Sequence, residues 1–331
     1  MFRIDYNHTD YVKVLHAFAD AMDTTIKNNT LIIPKNIAEG YFKNITLSNG
    51  LQCMVSDYLL NTDLYLQRNN CDKEFYILRF DEVSISDTLM VKIDNNYIRE
   101  TKQNRASVLL TSSLSDFATS ATRGTAVRSI NVLISRQWLA QYLNIESFDN
   151  ILKKYLLLKT DNYNFAPFDI EYRSWFNEVM EDADAAMKKS IIENRIMLMV
   201  EKFLNTLYFK FNPATVSDTI KIHQDEVKRL MEVESYLIKD FSTPPPPISF
   251  LSRVAAMSTT TLKNKFKKLY GFNVYEYFQK SRMQKAKTLL LSHKYSIKEI
   301  GSQLGYANLS NFATAFKKEF NRLPSQLILQ R

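Results

Sequence analysis

Residues Ser296 to Pro324 read SIKEIGSQLGYANLSNFATAFKKEFNRLP, and that stretch restricts the fold more than any other part of the chain. Ile297, Ile300 and Leu304 recur at helical spacing and stop at Gly305, while Phe312, Phe316 and Phe320 recur at helical spacing after a short polar turn. Two short helices with apolar inner faces, joined through a Gly-centred turn, predict a helix-turn-helix whose second helix can enter a DNA major groove.

A weaker copy lies about fifty residues upstream. Leu251, Val254 and Ala255 form the inner face of its scaffold helix, and the small side chains of Ala255 and Ala256 allow close approach. Ser258 suits an N-cap, because its hydroxyl can accept an exposed backbone N–H. With Leu262, Phe266 and Leu269 inward, Thr259, Thr260, Lys263, Asn264 and Lys267 point outward together, and Gly271 ends the helix. The outward set of the second unit is Ser310, Asn311, Thr314, Lys317 and Lys318. Amides, hydroxyls and ammonium groups on one face are what base edges and phosphates require. Ser310 also reads as a helix cap, and Lys318 as a solvated cation. A long connecting helix is expected from about Val274 to Ser292, with Tyr277, Met283, Ala286, Leu289 and Leu290 inward and Lys280, Arg282, Lys285 and Lys287 outward.

Charge follows the same division. From Phe241 to Arg331 the chain has 15 Lys and Arg against 3 Asp and Glu, leaving 28 against 32 before Phe241. The whole excess behind the net charge of +8 therefore lies in the last quarter, which favours a polyanionic partner and salt-dependent binding. Charge alone would equally suit a solvated basic surface. At 331 residues, two or three domains are expected.

The remaining sequence changes period. A short amphipathic helix is expected from Asp10 to Met22, then short alternating runs from Leu31 to about Ile134, with hairpin turns at Asn49-Gly50 and Asp94-Asn95-Asn96. These suit an antiparallel barrel or sandwich. From Asp182 to Phe211 the pattern is helical, with Ile191, Ile192, Ile196, Met199, Val200, Phe203, Leu204 and Leu207 on one stripe and Asn212-Pro213 as the stop. That stripe either packs on its own chain or forms a dimer seam, or both. A further helix is expected from Gln224 to Ile238, and Pro244 to Pro247 either form a hinge or set the entry of the next helix.

Several chemistries lack their residues. The histidines are His8, His16, His223 and His293, none within the strand region, so no metal site of cupin type is expected. Cys53 and Cys71 have neither metal spacing nor a disulfide framework, which fits a reduced compartment. No catalytic triad or phosphate-cradling Gly-rich loop is apparent, so neither enzymatic activity nor a cofactor is expected. The N-terminus lacks a signal-peptide pattern and no apolar run could span a bilayer, so the cytoplasm is the expected location. Candidate ligand contacts inside the β-rich region are Tyr58, Tyr65, Phe75 and Tyr76.

From about Asp225 to Arg331 the chain resembles the DNA-binding domain of the AraC/XylS family of bacterial transcription regulators. The resemblance rests on Gly305-Tyr306, Ser310, Phe312, Phe316-Lys317 and Pro324, and upstream on Leu251, Ser258, Leu262, Phe266-Lys267, Gly271, Tyr277, Arg282, Ala286 and Leu289-Leu290. Gly301 stands where the family usually has Ala, Asn321 replaces the usual Gly, and Leu327 lies near the usual terminal aromatic. The resemblance implies two helix-turn-helix subdomains whose second helices enter successive major-groove segments, roughly 34 Å apart by the geometry of the motif. Residues 34–60 are reminiscent of the siderophore-responsive PchR-like branch.

The expected fold is therefore α+β: an N-terminal antiparallel β-barrel, a cupin-like sensor, over 1–135; a helical linker or dimerisation region over 136–223; and a C-terminal all-α domain with two helix-turn-helix units over 224–331. The expected function is ligand-responsive transcription regulation by a homodimer. Its partners would be double-stranded DNA, a small-molecule effector of siderophore-like type, and RNA polymerase. The alternatives for the N-terminal region are a constitutive dimerisation module or a barrel enzyme fused to a DNA-targeting domain.

Overall fold

The structure, a computed structural model, describes residues 1–7, 10–101, 104–142, 151–152, 155–156, 166–181, 188–211 and 222–328. They form two compact units, one of Met1–Ala166 with Ile196–Thr219 and one of Pro167–Arg195 with Ile220–Arg331.

The first unit begins with β1 (Phe2–Tyr6) and α1 (Tyr11–Ala21). Asp10 caps α1, its carboxylate accepting from the N–H of Val12 at 2.9 Å and of Lys13 at 3.2 Å. The strands that follow are β2 (Ile26–Lys27), β3 (Thr30–Ile32), β4 (Ala38–Thr46), β5 (Gln52–Leu60), β6 (Leu64–Arg68) and β7 (Phe75–Ser84). After them come β8 (Thr88–Ile93), β9 (Asn96–Thr101), β10 (Asn104–Ser112), β11 (Phe117–Ala121), β12 (Ala126–Ser135) and, beyond α2 (Arg136–Tyr142), the two-residue β13 (Ala166–Pro167).

The β-rich region is thus present, but its strands form two sheets rather than a single closed barrel. The larger has the order β13-β10-β7-β12-β5-β4-β3-β2 and the smaller β1-β6-β11-β8-β9. From β10 to β2 in the larger sheet and throughout the smaller one, pairing is antiparallel except that β1 runs parallel to β6, with Phe2 opposite Leu64. Both expected hairpins form: Gly50 has φ 85 between β4 and β5, and Asp94 has φ 51 between β8 and β9. The central strands of the large sheet supply the core, where Leu78, Phe80, Val108, Ile130, Val132 and Ile134 are buried together with the thiol of Cys53. Burial pushes that thiol well above its ordinary pKa, so it acts as a small apolar side chain.

Next come α3 (Ile170–Glu181) and α4 (Lys188–Phe211), the latter carrying residues of both units on either side of Ile196. Ile192, Ile196, Met199, Val200, Phe203, Leu204 and Leu207 are buried and Ile191 is half-buried. The chain itself therefore covers most of the stripe. The expected start of this helix at Asp182 and its stop at Asn212-Pro213 lie outside the described residues.

The second unit continues with α5 (Gln224–Ile238), α6 (Ile248–Val254), α7 (Thr259–Tyr270), α8 (Val274–Leu291), α9 (Ile297–Gln303), α10 (Leu309–Phe320) and α11 (Pro324–Ile328). The four prolines before α6 lie inside this unit, and the Pro247 carbonyl accepts from the N–H of Phe250 and Leu251 at 3.0 and 3.1 Å. They start a helix within one unit. The unit has two cores strung along α8. Tyr277 and Phe278 join Leu251, Leu262 and Phe266, whereas Met283, Ala286 and Leu290 join Ile300, Leu304, Phe312 and Phe316. The buried Glu234 of α5 accepts from Arg173 of α3 at 2.9 Å and from the Tyr277 hydroxyl of α8 at 2.8 Å. Three helices therefore meet at one carboxylate, and burial beside it holds the Tyr277 phenol in its neutral form.

Candidate nucleic-acid interface

The two candidate recognition helices, α7 and α10, are each twelve residues long and repeat one another at an offset of fifty residues. Leu262 and Phe266 of α7 correspond to Phe312 and Phe316 of α10, all fully buried. Their ends correspond as well. Ser258 and Asn308 are the N-caps, and Gly271 and Asn321 are left-handed C-caps with φ 81 and 56. Asn tolerates that conformation better than any residue but Gly, so the departure from Gly at Asn321 leaves the helix end intact. The cap at α10 corrects one reading: Asn308 accepts from the Ser310 N–H at 2.8 Å, so Ser310 is not the cap but lies within the first turn.

With these faces inward, every sequence-selected polar residue is exposed: Thr259, Thr260, Lys263, Asn264 and Lys267 on α7, and Ser310, Asn311, Thr314, Lys317 and Lys318 on α10. Three pairs stand at matched positions, Thr260 with Ser310, Asn264 with Thr314 and Lys267 with Lys317. Lys263, Lys267, Lys317 and Lys318 form no ion pair among the described residues, and their ammonium groups are open to a phosphate. The only carboxylate in either helix, Glu319, is held by Lys280 of α8 at 2.9 Å. Lys265 turns away from this face to pair with Glu226.

The connecting helix differs from its expected role. Of its basic residues only Lys285 is exposed and unengaged. Lys280 pairs with Glu319, Lys287 lies 3.3 Å from Glu178, and Arg282 folds onto the second unit. The Arg282 Nε donates to the Leu304 carbonyl at 2.6 Å, its Nη2 donates to the same oxygen, and its guanidinium lies 4.1 Å from the Tyr306 ring centroid. Leu304 is the C-cap of α9 and Gly305 begins the turn, so Arg282 satisfies a carbonyl that the helix end leaves open. Its basic character in the sequence suggested surface charge; its tertiary partner lies 22 residues away and carries no local signal.

The first unit has a cavity between its two sheets, lined on one side by Met54, Ser56, Tyr58, Ile77 and Arg79 and on the other by Leu66, Arg68, Phe117 and Thr119. Of the sequence-selected ligand candidates, Tyr58 lines this cavity. Tyr65 instead donates to Gln67 at 2.7 Å beneath the guanidinium of Arg3, Phe75 carries Lys73 over its ring at 5.3 Å, and Tyr76 is buried away from the lining. Arg68 and Arg79 went unread because β6 and β7 join different sheets, and only the folded chain brings them together. His16, His223 and His293 are exposed, and His8 lies outside the described residues. Among the described residues no cluster of three or more His, Cys, Asp or Glu could hold a metal ion, and no helix is long and apolar enough to cross a membrane.

Two buried cores on one connecting helix, each presenting an exposed polar helix, define a double helix-turn-helix DNA-binding module. Residues 251–330 match the family model of a helix-turn-helix domain. The chain is 30% identical over 140 residues to Histidine kinase P4 of Formosa agariphila, covering 42% of this chain and 10% of that protein. It is 31% identical over 70 residues to the Xylose operon regulatory protein of Escherichia coli K12, covering 21% of this chain and 18% of that one. The C-terminal domain of AraT, a response regulator from Geobacillus stearothermophilus, shares 30% identity, covering 31% of this chain and 85% of that one with a TM-score of 0.29. The chain thus spans less than a fifth of the length of these two curated relatives. Its C-terminal segment belongs to the AraC/XylS family of helix-turn-helix domains.

Proposed function

We propose that this protein is a sequence-specific transcription regulator whose α7 and α10 read two successive major-groove segments of double-stranded DNA. The observation that carries this reading is the fifty-residue repeat of two capped helices, each with its aromatic face buried and its hydroxyl, amide and ammonium groups exposed. Side chains near a recognition helix N-terminus reach base edges. Thr259, Thr260, Lys263 and Asn264 are therefore the base-reading set of the first unit, and Ser310, Asn311 and Thr314 that of the second. Lys267, Lys317 and Lys318, in the last turns, bind phosphates.

The division of labour is a sensor over 1–135, a helical linker or dimerisation region over 136–223 and a DNA-binding domain over 224–331. In this reading the β-rich unit binds a small effector in its cavity and shifts an equilibrium between DNA-binding and non-binding states. The protein works in the cytoplasm as a homodimer that engages RNA polymerase at a promoter, and it has no enzymatic activity of its own. Support comes from the regulator among the relatives and from the segregation of basic charge into the DNA-binding segment.

The test is selection of tight-binding duplexes from a random pool by the full-length protein across a salt titration. Two enriched blocks about ten base pairs apart are expected, with a direct repeat of the whole element if a dimer binds. No enriched sequence at any salt concentration, with or without candidate effectors, would reject the proposal.

A further inference from the structure

The cavity between the two sheets contains a cation, Arg68, that no carboxylate among the described residues neutralises. Arg68 is only 6% exposed, and it lies at the end of β6 with its side chain lining the cavity. Its Nη2 donates to the carbonyls of Ser112 and Ser115 at 2.9 and 3.0 Å. Its Nη1 is buried without a hydrogen-bond partner among the described residues, and no carboxylate pairs with the guanidinium. Arg79 also lines the cavity, but it has Asp81 at 3.2 Å. The two guanidiniums face the same ring, that of Phe117, at 6.0 Å for Arg68 and 4.6 Å for Arg79.

Nothing else in the lining can supply the missing negative charge. None of the lining residues is acidic. Tyr6, Tyr11 and Tyr58 line it, and burial raises the pKa of all three phenols, so they stay neutral across the physiological range. Arginine does not escape the cost of burial by losing its proton. A buried, unpaired charge is unfavourable, and the remaining way to offset it is an anion from outside the chain. The rest of the lining is largely apolar, with Val14, Phe18, Phe42, Leu66 and Phe117 around the polar end. The cavity measures about 70 Å³ for the centre of a water-sized sphere, several times the roughly 10–15 Å³ that one water requires.

We propose that this cavity binds an organic carboxylate with an aromatic or aliphatic body, the carboxylate pairing with Arg68 and the body packing among Phe18, Phe42, Tyr58 and Phe117. A carboxylate suits the site because a guanidinium offers it a planar fork of donors, of which the Arg68 Nη1 is still free. The inference rests on the regulatory reading only for the purpose of binding; the binding itself stands on the cavity.

The experiment uses the full-length protein with benzoate, 4-phenylbutyrate and octanoate, each beside its neutral amide, and with inorganic phosphate, followed by thermal denaturation and calorimetry. At least one carboxylate is expected to raise the Tm and bind, while its amide and phosphate do not. Arg68→Met is expected to weaken that carboxylate roughly thirtyfold or more. No binding by any of the carboxylates, equal binding by the amides, equal stabilisation by phosphate (an adventitious ion only), or undiminished binding by Arg68→Met would each overturn the proposal. If Arg68→Met does not fold, the comparison of acid with amide on the unaltered protein decides. Sequence selection on DNA is measured in the same preparations. Intact selection without carboxylate binding removes this inference alone, while carboxylate binding without selection removes the regulatory reading alone.

Discussion

Gly305 and Gly301 lie four residues apart and should respond oppositely to the same substitution. Gly305 has φ 71, and a Cβ there would fall 2.2 Å from the carbonyl oxygen of Ser242. Gly305→Ala should destabilise the protein by more than about 2 kcal/mol, through backbone strain and displacement of that strand of chain. Gly301 is helical, and an added Cβ would meet Leu309 and Phe312 at 3.6 Å, an ordinary contact. Gly301→Ala should stabilise by up to about 1 kcal/mol, because alanine loses less backbone freedom in a helix. Urea denaturation of the two variants checks both signs. Lys267 and Lys317 pose a different question, since cations in a last helical turn also complement the helix dipole. If they bind phosphate, Lys267→Ala and Lys317→Ala should each lower the salt slope of DNA binding by about 1 and weaken all sequences alike. An unchanged slope with lowered stability would assign them to the helix ends alone.

At the scale of elements, the recognition helices depend on their caps. Ser258 accepts from the Thr261 N–H at 3.1 Å and Asn308 from the Ser310 N–H at 2.8 Å. Ser258→Ala and Asn308→Ala should each cost about 1 kcal/mol in thermal or urea unfolding. Removing the Glu234 side chain is a harsher change, because Glu234→Ala leaves Arg173 and Tyr277 facing an emptied buried site. A loss of about 3–5 kcal/mol is expected by the same measurement, and a loss below about 1 kcal/mol would deny it a role in fastening α3 to α5 and α8.

Which elements were legible in sequence follows from where their signals lie. α7 and α10 were readable because their periodicity, caps and stops are all local. Asp10 and the turns at Gly50 and Asp94 were readable for the same reason. β1 alternates Phe2, Ile4 and Tyr6 with Arg3 and Asp5, but it is a short strand whose parallel partner, β6, is distant in the chain, with Phe2 opposite Leu64. β11 is FATSA, whose small polar residues give no strand signal although its neighbours bury it. The seating of α3 within the second unit depends on Arg173 meeting Glu234 and Glu178 meeting Lys287, pairs 61 and 109 positions apart, which no window of sequence can reveal. The lining of the cavity was legible at Tyr58 alone, as an aromatic in a strand; the cations beside it were not.

Over the whole molecule, the spacing of the two reading helices is set by α8, which carries residues of both cores. Arg282 adds a bond from that helix to the turn between α9 and α10. A DNA site with one base pair inserted between its two blocks would rotate the second block by about a tenth of a turn. Binding to such a site should fall towards that of a single block, and a titration of spacing variants with the full-length protein measures it. Equal affinity across spacings would show that the two helices move independently. A pair of jaws fixed on one shaft behaves as a gauge of constant setting. A signal arriving from elsewhere in the protein can bring the gauge to DNA or withhold it, but it cannot alter the interval it measures. The promoters within reach are then a permanent property of the chain, and only the time spent on them is open to control.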